Sequence, residues 1–113
     1  DVRDPRDMKV LSFVPCNPGT RCGYIRVDRA KKLLIIGHDD SPRDNPVKPP
    51  AGEKSKPGWS FHDVSDPRNP KFLSFVPAIP GGKTHGMEID GRYLYGCGTF
   101  EPSMTREGLQ IID

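Results

Sequence analysis

The side chains best suited to chemistry in this 113-residue chain are its histidines and a pair of cysteines. His38 is followed by Asp39 and Asp40, a His-carboxylate group that could bind a ligand or a metal, although the same cluster also suits a solvated strand end. His85 could likewise bind a metal or contact a substrate, or could hydrogen-bond a neighbouring element. The candidate metal ligands are therefore His85 and His38, with a transition metal such as copper or zinc as the cofactor they would favour.

Cys16 and Cys22 are separated by five residues, and this spacing leaves three interpretations open. They could form a disulfide that closes a short loop, bind a metal, or remain idle thiols. Cys97 makes the count odd, so at most one internal disulfide forms and a free thiol remains. We expect Cys97 to be a small packing residue and His62 to be structural.

Several classes of function are excluded by the sequence. It contains no Gly-x-Ser-x-Gly motif, no phosphate-binding loop and no dinucleotide fingerprint. The 17 basic and 15 acidic residues are spread along the chain, so no basic stripe indicates a nucleic-acid partner. No apolar run approaches the roughly 18 residues of a membrane span, and the first residues have no signal-peptide core.

An internal repeat organises the elements that must position these side chains. Residues 1–15 and 63–77 are identical at 11 of 15 positions. A catalytic residue is needed once, whereas a structural residue is needed in each repeat. We therefore interpret the repeated Asp4 and Asp66, each before proline, as turn caps. The residues that do not repeat are the functional candidates: His38, His85, Cys16 and Cys22.

Short apolar runs separated by turns predict an all-β fold, because glycine and proline together make up 25 of the 113 residues. The first unit, 1–62, includes a proline-rich insertion at 39–57 that cannot build a core. The second unit is 63–113. The predicted strands cover residues 10–14, 23–28, 33–36, 59–64, 72–76, 85–90, 93–95 and 108–113.

Four strands in about 50 residues are typical of a β-propeller blade. We therefore predict two four-stranded antiparallel blades, with a two-sheet sandwich as the alternative. Two blades cannot close a ring, so we expect a fragment of a larger propeller or a chain that closes by self-association.

Three segments carry a resemblance to a known family. Residues 108–113 (Gly-Leu-Gln-Ile-Ile-Asp), 63–67 (Asp-Val-Ser-Asp-Pro) and the hairpin at 85–95 resemble the LVIVD repeat. The resemblance implies a non-enzymatic β-propeller scaffold, typically on an exported or cell-surface bacterial protein. Its partners would be the remaining blades of the parent chain and a protein or small-molecule ligand.

A weaker similarity, through Asp-Val-Ser-Asp-Pro, is to the selenium-binding or methanethiol oxidase propellers, which use histidines at a copper site. It implies a metal-dependent oxidoreductase as the alternative function. In either case strand alternation places the unusual loops at one end of the ring, where function concentrates. The candidate residues of this ligand-binding face are His38, Asp39, Asp40, His85, Cys16 and Cys22.

Overall fold

The computed structural model describes residues 3–40, 48–79, 84–99 and 107–113. These residues form seven β-strands: β1 Arg21–Asp28, β2 Leu33–Asp39, β3 Gly58–Asp63, β4 Lys71–Pro77, β5 Gly86–Asp90, β6 Tyr93–Thr99 and β7 Glu107–Ile112. None of the described segments is a helix long and apolar enough to cross a membrane.

The strands make two antiparallel sheets, which confirms the all-β prediction. The first sheet has the order β1-β2-β3-β4, and the second has the order β5-β6-β7. Within each sheet, strands that follow one another in sequence lie side by side and antiparallel. The β5–β6 connection is the predicted tight hairpin, in which Gly91 takes a φ of 57° that favours glycine.

The pairing register reproduces the sequence repeat. Residues that are equivalent in the two repeats form equivalent pairs, both between the first and second strands of each sheet and between the second and third. The matching pairs are Asp28↔Leu33 with Asp90↔Tyr93, and Leu34↔His62 with Leu94↔Ile112. The second sheet therefore copies the first three strands of the first sheet.

Two predicted strands differ from expectation. Residues 72–76 do form a strand, but within β4, which pairs with β3 as the fourth strand of the first sheet. The segment 63–77 is therefore a hairpin inside one sheet, and the sheets change after Pro77. Residues 10–14, their repeat equivalent, form no strand. They cannot pair with β3 of the first sheet, because β2 and β4 already occupy both edges of that strand.

The buried core lies between the two sheets, around Trp59, which has 0% of its surface exposed. Its indole ring lies against Gly96, where a Cβ would stand 2.3 Å from Trp59 Cζ2. Other buried members are Ile35, Ala78, Met87 and Leu94. β1 also lies against β5, so the first strands of the two sheets are neighbours.

Alternation along β3 gives the first sheet two different faces. Trp59 and Phe61 pack in the core towards the second sheet. Ser60 and His62 consequently point to the opposite side, which we call the outer face. His38 also lies on the outer face, because Gly37 beside it faces Met87 of the second sheet.

Candidate functional site

A buried row of polar side chains, His38, Ser60 and His62, forms the candidate site on the outer face; we call it the histidine–serine cluster. Ser60 lies between the two imidazoles. Its Oγ is 2.7 Å from His38 Nε2 and 2.9 Å from His62 Nε2.

Strand register explains why these three side chains meet. Ser60 and His62 are two residues apart on β3, so both point to one face. Ile36 of β2 pairs with Ser60, and His38 lies two residues further along the same strand. His38 therefore reaches Ser60 diagonally across the ladder, a contact that needs β2 and β3 in this register.

A disulfide loop holds the far side of His38. Cys16 and Cys22 are joined, with their Cα atoms 5.5 Å apart, so the disulfide is the one of the three interpretations that the structure contains. Within the loop, the backbone N–H of Asn17 donates to His38 Nδ1 at 3.1 Å. The loop therefore orients the imidazole as well as restraining the chain.

Replacing both Cys16 and Cys22 by serine is expected to lower the free energy of unfolding by about 2 kcal/mol, because a short closed loop restricts the unfolded chain. Urea unfolding under non-reducing conditions measures the change. Cys97→Ser is the matched control, since Cys97 is a free, exposed thiol. If the double variant unfolds at the urea midpoint of the control, the loop does not stabilise the fold.

The hydrogen bonds of the cluster run in one direction. Burial, with a smaller contribution from His62, lowers the pKa of His38 from 6.5 to about 4. The ring is therefore neutral near pH 7, and because Nδ1 accepts from Asn17, Nε2 carries the proton and donates to Ser60. With the His62 proton on Nδ1, the Ser60 hydroxyl donates to His62 Nε2 and continues the row in the same direction. Burial also lowers the pKa of His62, which favours its neutral, accepting form.

A cleft of about 310 Å³ opens over the cluster. Its lining combines apolar side chains with a polar floor and includes no charged residue: Phe13, Val14, Pro15, Asn17, His38, Ser60, His62, Pro70 and Phe72. Apolar walls with a few convergent polar groups are typical of binding sites. A hydroxyl that donates to an imidazole is also how serine nucleophiles are activated. Here the same hydroxyl accepts from His38, which fixes its orientation.

The predicted aspartates make local contacts. Asp39 is buried and forms an ion pair with Arg21, Nη2 to Oδ2 at 3.0 Å. Its other oxygen, Oδ1, has no hydrogen-bond partner among the described residues. Asp40 accepts a hydrogen bond from the hydroxyl of Ser55, which ties the end of β2 to the chain before β3.

His85 lies apart from the cluster, beside Tyr24. Their ring centroids are 5.3 Å apart, and Tyr24 Oη is 3.4 Å from His85 Nδ1. Tyr24 pairs with Gly37 and so shares the face of the first sheet opposite to His38. Within the described residues, no three His, Cys, Asp or Glu side chains group closely enough to hold a metal. The assignment of His38 and His85 as metal ligands stays a prediction.

Sequence reasoning missed two members of the site. We expected a structural role for His62 and did not single out Ser60. The repeat contained a signal for both, because they align with Gln110 and Ile112 and so do not recur. Cys97 also differs from expectation, since it is exposed and not packed.

No protein-family model, curated protein or solved structure matches this chain.

Proposed function

We propose that this chain is a segment of an LVIVD-type β-propeller that acts as a non-enzymatic binding scaffold on an exported protein. In this proposal the outer face of the first sheet, with the cleft over the histidine–serine cluster, is its binding surface. The partner is a protein that inserts an uncharged side chain into the cleft.

The path of the chain supports the propeller arrangement. It runs through β1 to β4 in order, then leaves the far edge of the first sheet for β5, which lies against β1. Repeated antiparallel sheets that meet at their first strands are what a propeller places around its axis. The shared register of the two sheets agrees with a repeated blade.

The observation that carries the binding proposal is the composition of the outer face. Phe13 and Phe72 line the cleft and are 84% and 63% exposed, and Ile25 and Val27 of β1 are exposed on the same face of the sheet. Large exposed apolar side chains gathered on one face are typical of interaction sites. Because both histidines are neutral near pH 7, the cleft presents hydrogen bonds without charge, which suits an uncharged side chain.

We expect uncharged side-chain mimics to bind the cleft. N-acetyl amides of tyrosine, tryptophan and leucine would be titrated into the full chain and followed by NMR chemical shifts. Ser60→Ala removes the central hydroxyl and is expected to weaken binding of the best probe by up to about 10-fold, since a hydrogen bond contributes about 0.5–1.5 kcal/mol.

Ser74→Ala is the matched control, because Ser74 pairs with Phe61 and lies away from the cleft. Circular dichroism would verify that both variants are folded. Absence of binding by every probe, or equal affinities for the Ser60→Ala and Ser74→Ala variants, would refute the assignment of the cleft.

One observation favours the alternative, a metal-dependent oxidoreductase similar to the methanethiol oxidase propellers. The Nε2 atoms of His38 and His62 both lie within 2.9 Å of Ser60 Oγ, so two imidazole nitrogens converge on one point. Stoichiometric Cu²⁺ or Zn²⁺ binding that displaces the probes and is lost in His38→Ala would support the alternative over the scaffold.

A further inference from the structure

The outer edge of β7 matches a segment near the start of the chain that forms no strand. β7 pairs with β6, and no described residue pairs with its other edge, which we call the acceptor edge. Residues 9–15, which we call the donor segment, form no strand. Unpaired strand edges present backbone groups that can bind another strand.

The donor segment has the sequence of a strand that pairs elsewhere in this molecule. It differs from β4, Lys71–Pro77, only by Val10 in place of Phe72. The turn before it also matches the turn before β4. The Arg6 N–H donates to Asp4 Oδ1 at 3.0 Å, and the Arg68 N–H donates to Asp66 Oδ1 at 2.9 Å.

The acceptor edge belongs to the counterpart of the strand that binds β4. β7 aligns with β3, and its register with β6 copies the register of β3 with β2. The β3–β4 ladder is therefore a template for pairing β7 with the donor segment. Carried over residue by residue, the template gives Gly108↔Pro15, Leu109↔Val14, Gln110↔Phe13, Ile111↔Ser12, Ile112↔Val10 and Asp113↔Lys9.

We propose that the acceptor edge of β7 binds the donor segment of a second copy of this chain. The pairing places Lys9 opposite Asp113, as Lys71 stands opposite Asp63 in the template. This charge complementarity favours the antiparallel register at the end of the ladder.

The donor segment of the same chain is on the wrong side to reach its own β7. Ser12 Oγ donates to the carbonyl oxygen of Pro67 at 2.7 Å, and Phe13 and Val14 line the cleft on the outer face. The second sheet, with β7, packs against the opposite face of the first sheet. Binding between copies leaves the donor segment where it lies.

The pairing would also bring together two sheet faces, one from each copy, whose counterparts already pack against each other within one chain. In the first sheet, Trp59 and Phe61 pack onto the second sheet. Their counterparts in β7, Leu109 and Ile111, are 57% and 60% exposed. The side chains of the second sheet that pack against the first sheet are Met87, Ile89, Leu94 and Ile112. Their counterparts in the first sheet lie on the outer face and are Ile25, Val27, Leu34 and His62.

The second sheet of one copy would therefore pack on the outer face of the next, in the arrangement that joins the two sheets within a chain. This contact uses different surfaces on the two copies, so it builds closed rings or filaments. The inference deepens the proposed function, because it names the partner of the outer face. It rests on that proposal for the packing of the faces, whereas the strand register stands independently.

Disulfide trapping between two variants that each have one free cysteine tests the register. One chain carries Ser12→Cys and the other Ile111→Cys, both with Cys97→Ser and the Cys16–Cys22 disulfide intact, and the two are mixed and oxidised. Directly opposed residues in antiparallel strands have Cα atoms about 4.5–5.5 Å apart, which a disulfide can span. We expect a cross-linked heterodimer on non-reducing gels. Leu11→Cys mixed with Ile111→Cys is the off-register control and should cross-link at least 10-fold less.

Light scattering after gel filtration tests the association itself. We expect the full chain to have the mass of an oligomer, and Ser12→Pro, which disrupts strand pairing, to be a monomer. Met8→Pro is the matched control, because its counterpart is Pro70, and it should associate normally. A monomeric parent chain, or equal cross-linking in register and off register, would overturn the inference. Probe binding to the cleft is measured at protein concentrations at which light scattering shows a monomer, so its failure would count against the proposed function instead.

Discussion

Replacing Trp59 by alanine is expected to lower the free energy of unfolding by about 3–5 kcal/mol, the usual cost of removing a buried aromatic side chain. Trp59 is fully buried between the sheets and packs on Gly96. A chain of this length has a total stability on the order of 5–15 kcal/mol, so the loss would be a large part of it. This one side chain therefore accounts for much of the contact that holds the sheets together.

Urea unfolding followed by circular dichroism measures the effect, because Trp59 is the only tryptophan and its fluorescence is lost in the variant. Leu73→Ala, at an exposed position of β4, is the matched control and should change stability by less than about 1 kcal/mol. If the alanine variant does not fold, Trp59→Phe provides a smaller, measurable loss. A Trp59→Ala midpoint equal to that of the control would show that the sheets do not depend on this packing.

The close approach to Gly96 makes a second, coupled result part of the same prediction. Gly96→Ala places a methyl group within 2.3 Å of the Trp59 ring, so the sheets or the ring must shift. In a Trp59→Ala background the indole ring is absent, so Gly96→Ala should lower the free energy of unfolding by much less. A coupling free energy of at least about 1 kcal/mol in this double-mutant cycle is expected for residues in direct contact.

Local features of this fold can be predicted from the sequence, whereas long-range contacts such as that between Trp59 and Gly96 cannot. Seven of the eight predicted strands form, and six of these lie in the predicted sheet, because alternation and Gly/Pro turns are local signals. The turn caps at Asp4 and Asp66 are confirmed for the same reason. The sheet to which the strand at 72–76 belongs is not determined by local sequence. The repeat gives the length of one unit, but the seven residues at 64–70 can form either a hairpin within one sheet or a connection between two sheets.

The candidate site was harder to predict because its members come from separate elements. His38 and Ser60 are in contact across the β2–β3 pair, and an 18-residue connection separates these two strands in the sequence. The spacing of the two residues in the sequence therefore does not predict the contact. The cysteine spacing alone allowed a disulfide, a metal pair or free thiols, and chain geometry decides among these. The sequence does contain one usable signal, which is that a functional residue has no identical counterpart in the other repeat. Applied to every residue, this criterion adds Ser60 and His62 to the functional candidates.

Acidification from pH 7 to pH 4 is expected to lower the free energy of unfolding by up to about 3 kcal/mol through His38 alone, at about 1.4 kcal/mol per unit of pKa difference. In the folded protein, burial and then His62 hold the pKa of His38 at about 4, against 6.5 as the ordinary value. Between these values the unfolded chain binds a proton that the folded chain does not. Stability therefore falls as the pH falls through this window, and the contribution of His38 levels off below about pH 4.

The pH dependence of the urea midpoint, measured between pH 7.5 and 4.5, tests this result. His38→Gln keeps a side chain that can accept from Asn17 and donate to Ser60 but cannot titrate, so its profile should be much flatter than that of the parent. His85→Gln, at an exposed position outside the histidine–serine cluster, is the matched control. Carboxylates whose pKa is lowered, such as Asp63, lose their contribution at more acidic pH, so they do not produce a difference between these variants in this window. Parallel profiles for His38→Gln and the parent chain would mean that His38 is not held neutral, and the one-directional hydrogen-bond row from Asn17 to His62 would then be wrong.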